Sequence, residues 1–240
     1  PPRSTPLYSS SASDVYKRQD SSTSTTKVSL WIDGQLSHYQ TKKPRQVAQQ
    51  LLPFVQQALD EASLPFSQLD AIAAATGPGS FTGLRIGIGA AQGLSMANDI
   101  PLIGISSLEL LAYSASNKLS SDYFLVCLPA REQEVYFAAY NRDKDSVVLQ
   151  GRERVLQLNA ENENLPTFTK EERIGVGAGW QHREQLESLL DIKLKDCLEK
   201  LEVTMEDLCG SALQKLEKGE ILAAEALLPN YVKEHLDYHS

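Results

Sequence analysis

Thr76-Gly77-Pro78-Gly79-Ser80-Phe81-Thr82-Gly83-Leu84-Arg85 is the stretch from which the rest of the chain is read. Before it, Leu69-Asp70-Ala71-Ile72-Ala73-Ala74-Ala75 is a short apolar segment with the character of a buried strand. After it, the run to Asn98 has helix length, with Ser80 or Thr82 as its N-cap. A strand, a glycine turn and a helix N-terminus together form a place where backbone N–H groups can point at an anion. Pro78 fixes one φ angle, while Gly77 and Gly79 permit conformations that a side chain would forbid. The same pattern also makes a tight strand-to-helix turn with no ligand, and spacing alone leaves both readings open.

Spacing does exclude two familiar sites. Counted from Gly77, the second glycine of a phosphate loop falls on Thr82, and no Lys-Ser/Thr pair follows. Gly77, Gly79 and Gly83 come nearer a dinucleotide fingerprint but are one residue too widely spaced. That fold also wants an acid after the next strand, where this chain offers Ser106 and Ser107. A dehydrogenase is therefore poorly supported.

The chain has 240 residues, enough for one domain or two lobes with a substantial core. Its 42% hydrophobic and 22% charged content are ordinary for a globular protein. A net charge of −8 argues against a broad phosphate-binding surface, so any nucleic acid would be held by a partner's basic groove. Cys127, Cys197 and Cys209 are far apart, form no CxxC pair and read as reduced thiols of a cytoplasmic protein. No apolar run approaches the roughly 18 residues of a membrane span, and no secretory signal is evident.

Residues 1–19 read differently from the rest. They are rich in Ser and Pro, aperiodic, and end in Lys17-Arg18-Gln19. Composition predicts a disordered tail. The run from Tyr8 to Gln19 resembles translated sequencing-adapter sequence, so these residues are set aside from the fold. Asp33-Gly34 then joins Val28–Ile32 to Gln35–Tyr39 as a hairpin. Val47, Leu51, Leu52, Val55 and Leu59 make one helical stripe, with Pro53 a kink or irregular start. After the glycine turn comes a strand over 102–105 and a helix from Ser106. Tyr123–Leu128 and Glu134–Tyr140 read as paired strands, extended by 147–149 and 152–156. Arg173–Trp180 is a second strand running into a glycine turn, followed by helices near 183–190 and 208–216. This order predicts two α/β lobes with mixed sheets, over 20–112 and 113–228, and a C-terminal tail over 229–240.

The residues that carry a family resemblance are Gly77-Pro78-Gly79-Ser80-Phe81-Thr82-Gly83-Leu84-Arg85-Ile86-Gly87 with the helix after them. Asp20-Ser21-Ser22-Thr23 with Val28-Ser29-Leu30, Val126–Arg131 with Glu134-Val135-Tyr136, and Pro229–Lys233 add to it. On these motifs the chain resembles the TsaB (YeaZ) family, a subunit of the bacterial machinery that makes threonylcarbamoyladenosine in tRNA. The resemblance covers nearly everything after Gln19. It departs in three places. The family's first strand before Asp20 is missing, a common helix His is absent at Arg45-Gln46-Val47-Ala48, and Pro129 stands where Asp is usual.

The resemblance implies a two-lobed, ribonuclease H-like fold of the actin, Hsp70 and sugar-kinase type. It implies a non-catalytic scaffold that activates a catalytic paralogue, TsaD, which holds ATP-derived threonylcarbamoyl adenylate, the metal and the active site. No cofactor of the chain's own is expected. A small ATPase, TsaE, joins the pair, TsaC supplies the adenylate, tRNA is reached through the complex, and the chain alone can form a homodimer. It also implies an authentic first strand, apolar and Met-started, before Asp20. The competing reading is a stand-alone nucleotide-binding enzyme of sugar-kinase or dehydrogenase type using the turn from Gly77 to Gly83.

Other chemical residues weigh less. His235 and His239 are four apart near the chain's end, with no third ligand suggested, and read as a tail. Asp20 to Thr23 could hold a phosphate but has no basic neighbour, so a polar hairpin entry is the better reading. Ser80 and Thr82 lack an activating base, and capping suits both. Arg131, Glu132 and Glu134 read as a solvated or interface strand end. In the helix from Thr82 to Asn98, Leu84, Ile86, Ile88, Leu94 and Met96 surround the axis, so more than one side must be covered. Arg85, Gly89, Gln92 and Met96 mark its least apolar side, and these with Ile88 are the expected partner contacts.

Overall fold

The computed structural model describes residues 6–10, 26–41, 47–131, 133–159, 164–168 and 171–232. The readings of Asp20 to Thr23, Arg45-Gln46, Glu132, Lys233, His235 and His239 lie outside the described residues.

The chain divides into two compact units. Unit 1 joins residues 1–107 to 204–230, and unit 2 joins 108–203 to 231–240. The boundary thus falls five residues before the expected 112, and residues 204–228 sit with the first unit rather than the second. Sequence order suggests otherwise because a contiguous reading cannot see a helix that returns to an earlier sheet.

Unit 1 is built on a five-stranded sheet of order β3-β2-β1-β4-β5. Its strands are β1 (Pro6–Ser10), β2 (Thr26–Ile32), β3 (Gln35–Thr41), β4 (Ala71–Gly77) and β5 (Leu102–Ser106). β1 to β3 are antiparallel neighbours, while β1, β4 and β5 run parallel. The Asp33-Gly34 hairpin forms as expected, with φ of 47° and 84° at its two residues, the left-handed values that a tight two-residue turn requires. The expected missing first strand is corrected: Pro6–Ser10 lies between β2 and β4, pairing Leu7 with Leu30 on one side and Ile72 on the other. Its backbone occupies the edges that β2 and β4 would otherwise leave unpaired.

α1 (Val47–Ala62) runs through Pro53 and lies on β2 and β3. Leu51, Val55 and Leu59 are buried, but Leu52, assigned to the same stripe, is half exposed. α2 (Phe81–Asn98) lies on β4 beside α1. Val28, Leu30, Ile72, Ala74 and Leu102 face these helices in one apolar cluster. Strand alternation turns Ser29 to the opposite face, where its hydroxyl meets Cys209 of α5 (Met205–Glu217) at 3.5 Å. α5 opens with a capping box between Thr204 and Asp207.

Unit 2 opens with α3 (Ser107–Lys118), of which only Ser107 belongs to unit 1. It holds β6 (Tyr123–Pro129), β7 (Glu134–Asp143), β8 (Ser146–Gln157), β9 (Ile174–Val176), α4 (Arg183–Leu190) and β10 (Asp196–Leu198). Read as β8-β7-β6-β9-β10, its sheet repeats the order of the first, with the first three strands antiparallel and the last two parallel. Its core gathers Leu125, Cys127, Phe137, Leu156, Trp180 and Leu186.

Candidate docking face and glycine turns

β4 leaves the sheet at Gly77, whose φ is +99° and whose peptide bond to Pro78 is cis. Ser80 is the N-cap of α2, its Oγ accepting from the Gly83 N–H at 3.4 Å, so Thr82 does not fill that role. The chain's own groups pack this turn. A Cβ on Gly77 would stand 2.7 Å from Leu84 Cδ1 and 3.8 Å from the Asn230 carbonyl oxygen. The Asn230 N–H donates to the Thr76 oxygen at 2.8 Å. Pro78 is buried and Gly79 half-buried between these contacts. The five turn residues, Gly77, Pro78, Gly79, Ser80 and Gly83, therefore act together to launch a helix.

Gly83, Leu84, Gly87, Ile88, Ala91 and Ser95 form the buried side of α2. Arg85, Gly89, Gly93 and Met96 line the other side and are exposed, Met96 to 79%. Nothing lies within 4 Å of a Cβ placed on Gly89 or Gly93, so this side is smooth and open. At the first turn Phe81 is 58% exposed, with the Arg85 guanidinium 3.7 Å above its ring. Three of the expected contacts, Arg85, Gly89 and Met96, thus share one face. Two do not. Ile88 is 3% exposed and belongs to the core. Gln92 is half-buried and donates from Nε2 to the carbonyl oxygens of Ala224 at 2.9 Å and Leu227 at 3.0 Å. Phe81 and Gly93 were absent from the expected set, although each stands four residues from one that was in it, one turn along the helix.

The second turn, Gly177-Ala178-Gly179-Trp180, follows β9 as the first follows β4. Gly177 has φ +100°, and a Cβ there would lie 2.5 Å from the Cys127 oxygen. At Gly179 a Cβ would lie 2.5 Å from Cys127 Sγ. Trp180 is fully buried and donates from Nε1 to the Leu125 oxygen at 2.7 Å. This turn too is packed solid.

The thiols are poor nucleophiles. Burial pushes Cys127 well above its ordinary value, and raises Cys209 despite its contact with Ser29. Cys197 is pushed up to about 11, by burial first and then by nearby Glu199. Glu134 accepts from Gln157 Nε2 at 2.6 Å, where the end of β7 pairs with β8. Among the described residues, no three His, Cys, Asp or Glu side chains gather to hold a metal. No described helix is long and apolar enough to cross a membrane.

Comparison with known proteins places this geometry. The family model described as TsaD, tRNA N6-adenosine threonylcarbamoyltransferase, matches residues 41–162. The tRNA threonylcarbamoyladenosine biosynthesis protein TsaB of Escherichia coli (strain K12) is 34% identical over 218 residues, covering 90% of this chain and 94% of that protein. The chain belongs to the TsaB family. The TsaB protein of Haemophilus influenzae is 30% identical, over 91% of this chain and 93% of its own length. YeaZ from Pseudomonas aeruginosa superposes with a TM-score of 0.74 at 32% identity, covering 95% of this chain and 99% of that one. The mixed α/β fold expected from the resemblance is the fold of that structure. The competing reading, a stand-alone nucleotide-binding enzyme, finds no support in these comparisons.

Proposed function

We propose that this chain is the non-catalytic, activating subunit of the machinery that adds a threonylcarbamoyl group to the adenosine beside the anticodon of tRNA. The observation that carries the reading is the 34% identity, across nearly the whole of both chains, to a protein named for threonylcarbamoyladenosine biosynthesis. The exposed face of α2, through Arg85, Gly89, Gly93 and Met96, docks a TsaD-like catalytic paralogue. That partner holds ATP-derived adenylate and metal, and this chain holds no cofactor. A TsaE-like ATPase joins the pair, and tRNA is reached through the complex in the cytoplasm. A homodimer forms over the same face when the partner is missing. Thiols held above the range of a ready thiolate and a glycine turn filled by Leu84 support a scaffold role over chemistry of its own.

Reconstitution tests this directly. A tRNA modification assay with TsaD, TsaE and threonylcarbamoyl adenylate should run only when this chain is added. The chain with adenylate and tRNA but without TsaD should give no product. Product from the chain alone would end the non-catalytic reading, and modification at full rate without it would end the activating one.

A further inference from the structure

Residues 221–230 form a strap across unit 1. Leu222 and Leu102 exchange two backbone hydrogen bonds, of 2.7 and 2.9 Å. The side chains of Leu222 and Leu227 close over Gly104 of β5, where an added Cβ would meet them at 3.6 and 3.1 Å. Gln92 then ties the strap to α2 through the carbonyl oxygens of Ala224 and Leu227. The strap finishes at Asn230, bound to Thr76 just before the glycine turn. Residues 227–230 therefore run along the flank of α2 from Gln92 towards its N-terminus. At about 100° per residue, Phe81, Arg85 and Gln92 fall within about 40° of one another on that flank.

Leu227 is fully buried, yet the next residue, Leu228, is 65% exposed. Leu228 thus joins Phe81 and Met96 as a large apolar side chain held open beside or on α2. Arg85 is the helix's single charged residue, in a chain of net charge −8. A partner that fits this surface presents an apolar patch with a carboxylate opposite Arg85.

We propose that the docking surface is composite: α2 supplies one rail and the strap the other. Leu228 touches the TsaD-like catalytic subunit, and Gln92 is a positioning residue that holds the strap in place. This rests on the α2 docking reading above. It reassigns Gln92, which acts inward on its own chain and reaches the partner only through Leu228.

The test titrates TsaD with the full chain and four variants, following affinity, melting temperature and amide exchange. Leu228→Asp should weaken binding by about tenfold or more, the size expected of a central apolar contact, with melting unchanged. If the charge lowers melting, Leu228→Ser takes its place. Leu228→Met should bind like the parent. Gln92→Ala should speed exchange of the Asn230 amide and weaken binding about threefold to tenfold. Gly89→Arg, where the added side chain meets open space, should abolish binding while leaving melting intact. Loss with Gly89→Arg but parental affinity with Leu228→Asp overturns the strap and leaves the α2 reading standing. Parental affinity in both overturns the two together. Faster exchange in Gln92→Ala with parental affinity removes its positioning role.

Discussion

The two sheets share a strand order and a glycine turn at the same topological position, but the turns serve different ends. After β4, Gly77 precedes a capped helix of 18 residues, one side of which stays open. After β9, Gly177 brings the chain against the end of β6, and a buried tryptophan and an eight-residue helix follow. Their φ values differ by a single degree, +99° and +100°. The lesson is that a glycine pair after a strand marks a sharp exit, and its use depends on what packs into it. The nearest obstacle at Gly77 is the end of a side chain, Leu84 Cδ1, and at Gly177 it is backbone, the Cys127 carbonyl oxygen.

That contrast sets the largest expected effect. Gly177→Ala forces a Cβ to 2.5 Å from a strand carbonyl at a left-handed φ, and should cost about 3 kcal/mol or more. Gly77→Ala meets the same φ, but the obstacle is the movable end of Leu84, so about 1–2 kcal/mol is expected. Urea unfolding with an unchanged slope reads both. Equal losses would show that the φ strain common to both positions, rather than the neighbouring backbone at Gly177, sets the cost.

Ser80→Ala comes next. It removes the cap from α2 and should lower stability by about 0.5–1 kcal/mol, the lower part of the capping range because the bond is long at 3.4 Å. A thermal melt measures it, and no change would mean that water caps the helix equally well.

The smallest effect has the opposite sign. Gly89→Ala places a methyl group in open space and should stabilise by about 0.5–1 kcal/mol. No gain in the urea midpoint would show that the outer face of α2 is already crowded in the free chain.

Local chemistry made much of this legible. Asp33-Gly34 dictates its hairpin, and the apolar run to Gly77 dictates a buried strand. Residues 147–149 and 152–156 read as two pieces because Gly151 interrupts them, yet β8 passes through at φ +79°. β10 was not legible: Asp196-Cys197-Leu198 is three residues in a charged stretch, and only the waiting edge of β9 makes it a strand. β1 was hidden because its composition reads as tail while its pairing is set by distant strands. On α2, apolar residues lie all round and glycines carry no polarity. The wheel therefore could not separate Ile88, which reaches the core, from Gly89, which does not. Gln92 looked outward for the same reason, since its partners lie over 130 residues away.

The return of α5 to the first sheet also fixes an order in time. The strands of unit 1 leave the ribosome before any of unit 2, yet the helix that covers their Ser29 face is made only after residue 203. Residues 108–203 are a continuous insert, complete while the sheet that precedes them still shows one face to water. In this chain vectorial synthesis therefore leaves unit 1 open on that face until the whole of residues 108–203 has been made.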